Sequence, residues 1–179
     1  PCLLSSLMPI QLPPNLRRPT QEEFGDIAYR VMEVVFAVHR ELGRFLHEEI
    51  YQREIASRLT KAQIEVPITA TFEGVSKAYF IDLLVDGAAL FEFKAVEKLA
   101  PRHQAQLINY LLLAEMPHGK LVNLRGEQVE HEFINSTKLL ADRTCFEVES
   151  HQWQPSLAGE SNIHDWLVAA LRDWGVRLH

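Results

Sequence analysis

The chain has 179 residues, 47% of them hydrophobic and 23% charged, which is the composition of a globular protein and not of a disordered, fibrous or membrane-spanning one. A chain of this length buries roughly two thirds of its unfolded surface in a single core, so a second full domain is not expected. With 18 Lys and Arg against 24 Asp and Glu the formal net charge is −6, which excludes a uniformly basic surface for coating nucleic acid and requires any phosphate-binding surface to be local.

In chain order, the leader Pro1–Met8 is mildly apolar, but it lacks the basic and extended apolar regions of a signal peptide. Cys2 and Cys145 are the only cysteines, too few for a disulfide framework or a cysteine zinc site, and a reducing cytoplasm is the expected compartment. No run reaches the roughly 20 apolar residues of a membrane helix, so no membrane partner is expected. Pro9, Pro13, Pro14 and Pro19 predict an extended arm over residues 1–19.

Thr20 followed by Glu23 reads as a capping box opening a helix, in which Phe24, Ile27, Val31, Val34, Val35 and Val38 recur at helical spacing before Gly43. A second helix is predicted from about Leu46 to Lys61. Strands follow at Glu65–Phe72, Ala78–Val85 and Ala88–Ala95, separated by the turn pairs Glu73-Gly74 and Asp86-Gly87. Pro101 fits the first turn of a helix carrying Leu107 and Leu111, and strands are predicted at Lys120–Leu124 and Val129–Ile134. Residues 136–179 read as an extension with a strand at Cys145–Val148, a loop around Pro155 and Gly159, and a helix from Ile163 to Trp174. That helix lines up Ile163, Trp166, Leu167, Ala170, Leu171 and Trp174, while Trp153 falls before it. The stripe would dock on the core or form a homodimer contact.

Two strand segments carry charge inside apolar runs: Asp82 in Tyr79–Val85, and Glu92 and Lys94 in Phe91–Ala95. Alternation places Glu92 and Lys94 on one face with Phe91 and Phe93 on the other. A two-residue Asp86-Gly87 turn would send Asp82 to the wrong face. A three-residue Val85-Asp86-Gly87 loop would set Asp82 opposite Leu90 and diagonal to Glu92, and that register is predicted. Carboxylates on adjacent strands make a hard oxygen site suited to Mg2+ or Mn2+, and a neighbouring lysine can orient water or stabilise phosphate charge.

The segments Leu42–Tyr51, Ile81–Gly87, Phe91–Leu99 and Gln106–Leu111 resemble successive motifs of the GxxExxY proteins, a family assigned to the PD-(D/E)xK nuclease superfamily. The resemblance covers about residues 24–135. It implies an α/β fold with a restriction-endonuclease-like three-layer core, a mixed central sheet flanked by helices, spanning residues 20–135, and Mg2+-dependent DNA cleavage. It further implies Asp82 and Glu92 as metal ligands, Lys94 as the catalytic lysine, Glu48 as a helix-borne acid, and Gln106 with Tyr110 as a QxxxY element. Where the family name has a glycine three residues before the glutamate, this chain has Phe45.

Tyr51, on the helix face of Glu48, could support a metal ligand from behind. Gln106 could touch a phosphate, a base or water, with Tyr110 packed below it. His47, His103 and His118 are expected at the surface or behind the site, not as ligands. Arg44, Lys98, Arg102 and Lys120 could form a local positive rim. The expected activity is a divalent-metal-dependent nuclease acting on DNA, in which Glu48, Asp82 and Glu92 hold one or two Mg2+ or Mn2+ ions. The rival is a catalytically silent nuclease-fold module for nucleic-acid binding or protein assembly.

Overall fold

The computed structural model describes residues 10–149 and 160–176, so the apolar leader through Pro9, Trp153 and the loop about Pro155 and Gly159 lie outside the described residues. The proline-rich stretch contributes a short edge strand, β1 (Ile10–Gln11), paired antiparallel with Ala70 and Thr69. Thr20 caps α1 (Gln21–Leu42), its hydroxyl accepting from the Glu23 amide at 3.1 Å, and Gly43 ends the helix at φ 73°. Helix α2 (Glu48–Ser57) is shorter than its apolar pattern predicts. Its last turn tightens through Arg58 N–H to Ile55 O and Leu59 N–H to Ala56 O, and Lys61 then turns left-handed at φ 53°.

β2 (Ala62–Phe72), β3 (Val75–Val85) and β4 (Ala89–Lys94) form the expected meander. The Glu73-Gly74 turn has φ 44° and 83°, the sign that matches strand twist in a tight hairpin. Helix α3 (Pro101–Leu113) begins on its proline, whose missing N–H costs nothing in a first turn. It leads to β5 (His118–Asn123), parallel to β4, and β6 (Glu130–Asn135) returns antiparallel.

The six strands lie in the order β1-β2-β3-β4-β5-β6. Leu83, Phe91, Phe93 and Val122 pack under α1 and α2 on one face, and Ile81, Leu84, Leu90 and Leu121 pack under α3 on the other. This mixed sheet between helical layers is the restriction-endonuclease-like α/β fold implied by the sequence. No helix among the described residues is long and apolar enough to cross a membrane.

The β3–β4 register differs from expectation by two residues, which keeps every side chain on its predicted face. Leu83, Leu84 and Val85 face Phe91, Leu90 and Ala89, so the loop is Asp86-Gly87-Ala88 and Asp82 stands opposite Glu92, not Leu90. Contacts from outside the hairpin account for the shift. The Asp86 amide donates to Lys61 O at 3.1 Å and Gly87 O accepts from the Arg17 amide at 2.8 Å. At Gly87 a Cβ would lie 2.3 Å from Asn15 O, and φ is 64°, so only glycine fits beneath the arm.

The extension also departs from expectation. Residues 145–149 pair with no strand, and the preceding residues instead form a one-turn helix, α4 (Leu140–Thr144). Helix α5 (Glu160–Trp174) docks on the end of β2, where Trp174 Nε1 donates to Thr71 O at 3.1 Å and Phe72 meets the rings of Trp166 and Trp174 edge-on. Arg143 is the anchor: buried, it donates to Leu112 O at 2.8 Å and Trp174 O at 3.0 Å. Arg143→Ala would leave both carbonyls without this charged donor, and we expect a loss of about 2–3 kcal/mol in urea unfolding together with earlier proteolysis at α5. An unchanged midpoint and digestion pattern would contradict that assignment.

Candidate active site

The centre of the site lies where the β2–β3 hairpin kinks. Ile64 and Leu83 pack toward α1 and α2, whereas Val66 and Ile81, two residues along each strand, pack toward α3. A regular strand would send residues two apart to the same face. The reversal falls at Glu65 and Asp82, between the pairs Ile64↔Leu83 and Val66↔Ile81, and Glu65 there has φ 52°. A left-handed glutamate inside a strand stores strain of order 1 kcal/mol or more. It frees Asp82 from regular pairing. The β3–β4 ladder stops at Leu83↔Phe91, and the Phe93 amide donates instead to Asp82 Oδ2 at 2.8 Å.

Three carboxylates surround one ammonium. Lys94 Nζ lies 2.6 Å from Glu92 Oε1, 3.6 Å from Glu48 Oε1 and 4.0 Å from Asp82 Oδ2, and it also donates to Phe93 O at 2.8 Å. Glu48 reaches this point from the first turn of α2, so the cluster draws on both strands and a helix of the opposite layer. Burial is nearly complete: Glu92 is 0% exposed, Asp82 7% and Lys94 9%.

Desolvation disfavours charge, and the site holds more negative than positive groups. Burial, joined by the charge of Asp82, pushes Glu92 up to about 8 against the pull of Lys94. Burial pushes Asp82 to about 6, opposed by Lys94 and the Phe93 amide. Glu48 is raised, again mainly by burial. Burial alone would lower Lys94, but Glu92, Asp82 and Glu48 together hold it above the ordinary lysine value.

One polar atom of the cluster is orphaned. Glu92 Oε2 is buried and has no hydrogen-bond partner. An all-oxygen donor set, carboxyls whose proton affinity is raised chiefly by burial, and a buried acceptor without a partner are what a hard divalent cation would satisfy, so the residues fit Mg2+ or Mn2+. As placed, no three Asp, Glu, His or Cys side chains among the described residues are grouped tightly enough to chelate an ion. The cation they share is the Lys94 ammonium.

The QxxxY pair sits beside the cluster: Gln106 Nε2 donates to the Tyr110 hydroxyl at 3.0 Å, and burial together with the charges of Glu92 and Asp82 raises the phenol. Tyr51 is not part of the cluster. Fully buried, its hydroxyl donates to Gly43 O at 2.5 Å and accepts from the Leu46 amide at 3.4 Å, bracing the loop that leads into Glu48. His103 Nδ1 accepts from the Ala100 amide at 3.0 Å and caps α3, and His118 contacts Asn135, so neither joins the site. His47 is exposed at the start of α2.

The positive rim is smaller than expected. Lys98 and Arg102 are exposed, but Lys120 is buried with its ammonium 3.4 Å from the centre of the Phe133 ring, and burial pushes it down to about 8. Glu65 was missed by sequence reasoning. Its exposed carboxylate adds to the burial-driven rise of both Asp82 and Glu48. Only its place opposite Asp82 reveals it, because the residue type in a strand carries no signal.

Comparison with known proteins agrees with the geometry in one respect. A sequence model of the PD-(D/E)XK nuclease superfamily matches residues 25–135, more than half of the chain. No curated protein and no solved structure matches it.

Proposed function

We propose that this chain, which belongs to the PD-(D/E)XK nuclease superfamily, is a divalent-metal-dependent nuclease that hydrolyses phosphodiester bonds in DNA. The motif spacing supports placing it among the GxxExxY proteins, and the catalytic unit is the domain of residues 20–135. The observation that carries the reading is the unsatisfied, buried Glu92 Oε2 within a carboxylate cluster whose only counter-charge among the described residues is Lys94.

Asp82, Glu92 and Glu48 would hold Mg2+ or Mn2+. When bound, the ion would polarise the phosphoryl group and lower the pKa of the attacking water. Lys94, kept protonated by its three acidic neighbours, positions water and stabilises charge developing on the phosphoryl oxygens. Asp82 is held in place by the Phe93 amide, which fixes its carboxylate without competing hydrogen bonds from β3. Gln106 offers its amide to a phosphate or water, oriented by Tyr110. Tyr51 fixes the approach of α2 and thereby the position of Glu48.

The outer face of α5 keeps Ile163, Leu167 and Leu171 at 53%, 45% and 40% exposure, which supports a homodimer contact alongside docking on the core. The test of the activity is cleavage of linear, circular and single-stranded DNA and of RNA with Mg2+ or Mn2+, against chelator and against Lys94→Ala. Full cleavage by the Lys94→Ala protein would overturn the reading.

A further inference from the structure

Beside Glu48 a cleft of about 420 Å3 is lined by Phe45, His47, Glu48, Glu97 and Arg125. Phe45 is 70% exposed, the most exposed of the large apolar side chains among the described residues. A single exposed ring is ordinary by itself, and what sets this one apart is its place on the cleft beside two arginines. The guanidinium groups of Arg44 and Arg125 stand 4.9 Å and 5.0 Å from the ring centre. Stacked planes come closer than that, and much of the ring surface is still open.

The two arginines are weakly engaged. Arg44 has a 3.6 Å ion pair with Glu127, itself 86% exposed, and the Arg125 side chain makes no hydrogen bond or ion pair among the described residues. The loop that carries Phe45 is nevertheless fixed. Tyr51 bonds Gly43 O and the Leu46 amide on either side of it, so the ring is presented on a braced segment and little ordering is needed on binding. An exposed flat ring between two under-used cations matches one chemistry well: a planar base with a phosphate attached on each side. Base stacking on an aromatic ring is stronger than an exposed cation–π contact, so a base can displace the guanidinium groups toward its own phosphates. The bases of an intact duplex hide their faces, and only unpaired nucleotides can use such a ring.

We propose that Phe45, flanked by Arg44 and Arg125 and adjoining Glu48, is the platform on which an unpaired base stacks, which makes single-stranded nucleic acid, frayed ends included, the substrate class of this site. The proposal rests on the nuclease reading for its location but not for its test. Fluorescein-labelled oligothymidylate and a blunt hairpin duplex, its loop replaced by a polyethylene glycol linker and its end clamped by G·C pairs so that no base is unpaired, are titrated by anisotropy, in chelator so that nothing is cut, with wild type, Phe45→Ala and Phe45→Trp. Phe45→Ala is expected to weaken single-strand binding about 10-fold, Phe45→Trp to restore it, and hairpin binding to change less than about 2-fold, since phosphate contacts alone serve a duplex. The same pattern on oligouridylate would support the proposal equally. Single-strand binding unchanged in Phe45→Ala, an equal loss on the hairpin, or no binding of single strands by wild type would overturn it. Binding with this pattern but no cleavage in Mg2+ would defeat the nuclease reading alone.

Discussion

Glu92→Gln is expected to raise the thermal midpoint of the metal-free protein at pH 8 by about 5–10 °C and to leave it nearly unchanged at pH 5. The folded carboxyl titrates near 8, far above its ordinary 4.5, and Asp82 near 6 against 3.8. An acid whose value is raised by folding keeps its proton in the native state while the unfolded chain loses it. Stability is therefore fully present below the unfolded values and is lost as pH climbs toward 8, by several kcal/mol in all for a coupled pair of this kind. A neutral amide at 92 removes the larger part of that loss. Mg2+ or Mn2+ should oppose the same decline in wild type, stabilising it more at pH 8 than at pH 5, and should do so far less in Glu92→Gln. Calorimetric unfolding at the two pH values, with and without Mn2+, reads all of this. A wild-type midpoint that is flat between pH 5 and 8 and indifferent to Mn2+ would contradict the assignment of these carboxyls.

Lys94→Ala is expected to lower the cleavage rate by about 1,000-fold at saturating DNA with little change in KM, because in the proposed mechanism its ammonium acts on charge that develops during the reaction and not on the ground-state substrate. The same substitution strands Glu92 without its 2.6 Å partner, so the variant should also unfold more readily at high pH than at low pH. Single-turnover rates separate the two effects, since a fold defect lowers the active fraction and a catalytic defect lowers the rate of the active enzyme. A rate within a few fold of wild type would remove Lys94 from the mechanism.

Much of this site is legible in the sequence because strand alternation is strict. Charges at 92 and 94 inside Phe91–Ala95 have to share a face, and two aromatic neighbours fix which face is core. The register differs from the predicted one by two residues because the loop is set by Lys61 and Arg17, which lie outside the hairpin. Glu65 could not be found, since nothing in the residues Ile64–Val66 signals a left-handed φ. Tyr51 lies on the helix with Glu48, as its spacing predicts, yet its hydroxyl turns to Gly43, because an unpaired backbone carbonyl at a helix end is the nearer acceptor. Lys120 looks like a surface charge in sequence, but its stem runs between α1 and β6 and its ammonium finds an aromatic face. No strand forms at 145–148, where the chain leaves α4 just after Arg143, whose side chain ties that turn to Leu112 O and Trp174 O.

On the proposed reading, Asp82, Glu92 and Glu48 hold the cation on which phosphodiester hydrolysis depends. The most direct measurement of this is the initial rate of DNA cleavage as a function of Mn2+ concentration for wild type and Asp82→Asn. Wild type is expected to show a saturable rise from no detectable cleavage in chelator, and Asp82→Asn to lose that rise. Cleavage by wild type that persists in chelator, or an Asp82→Asn curve that overlays the wild-type curve, would contradict it.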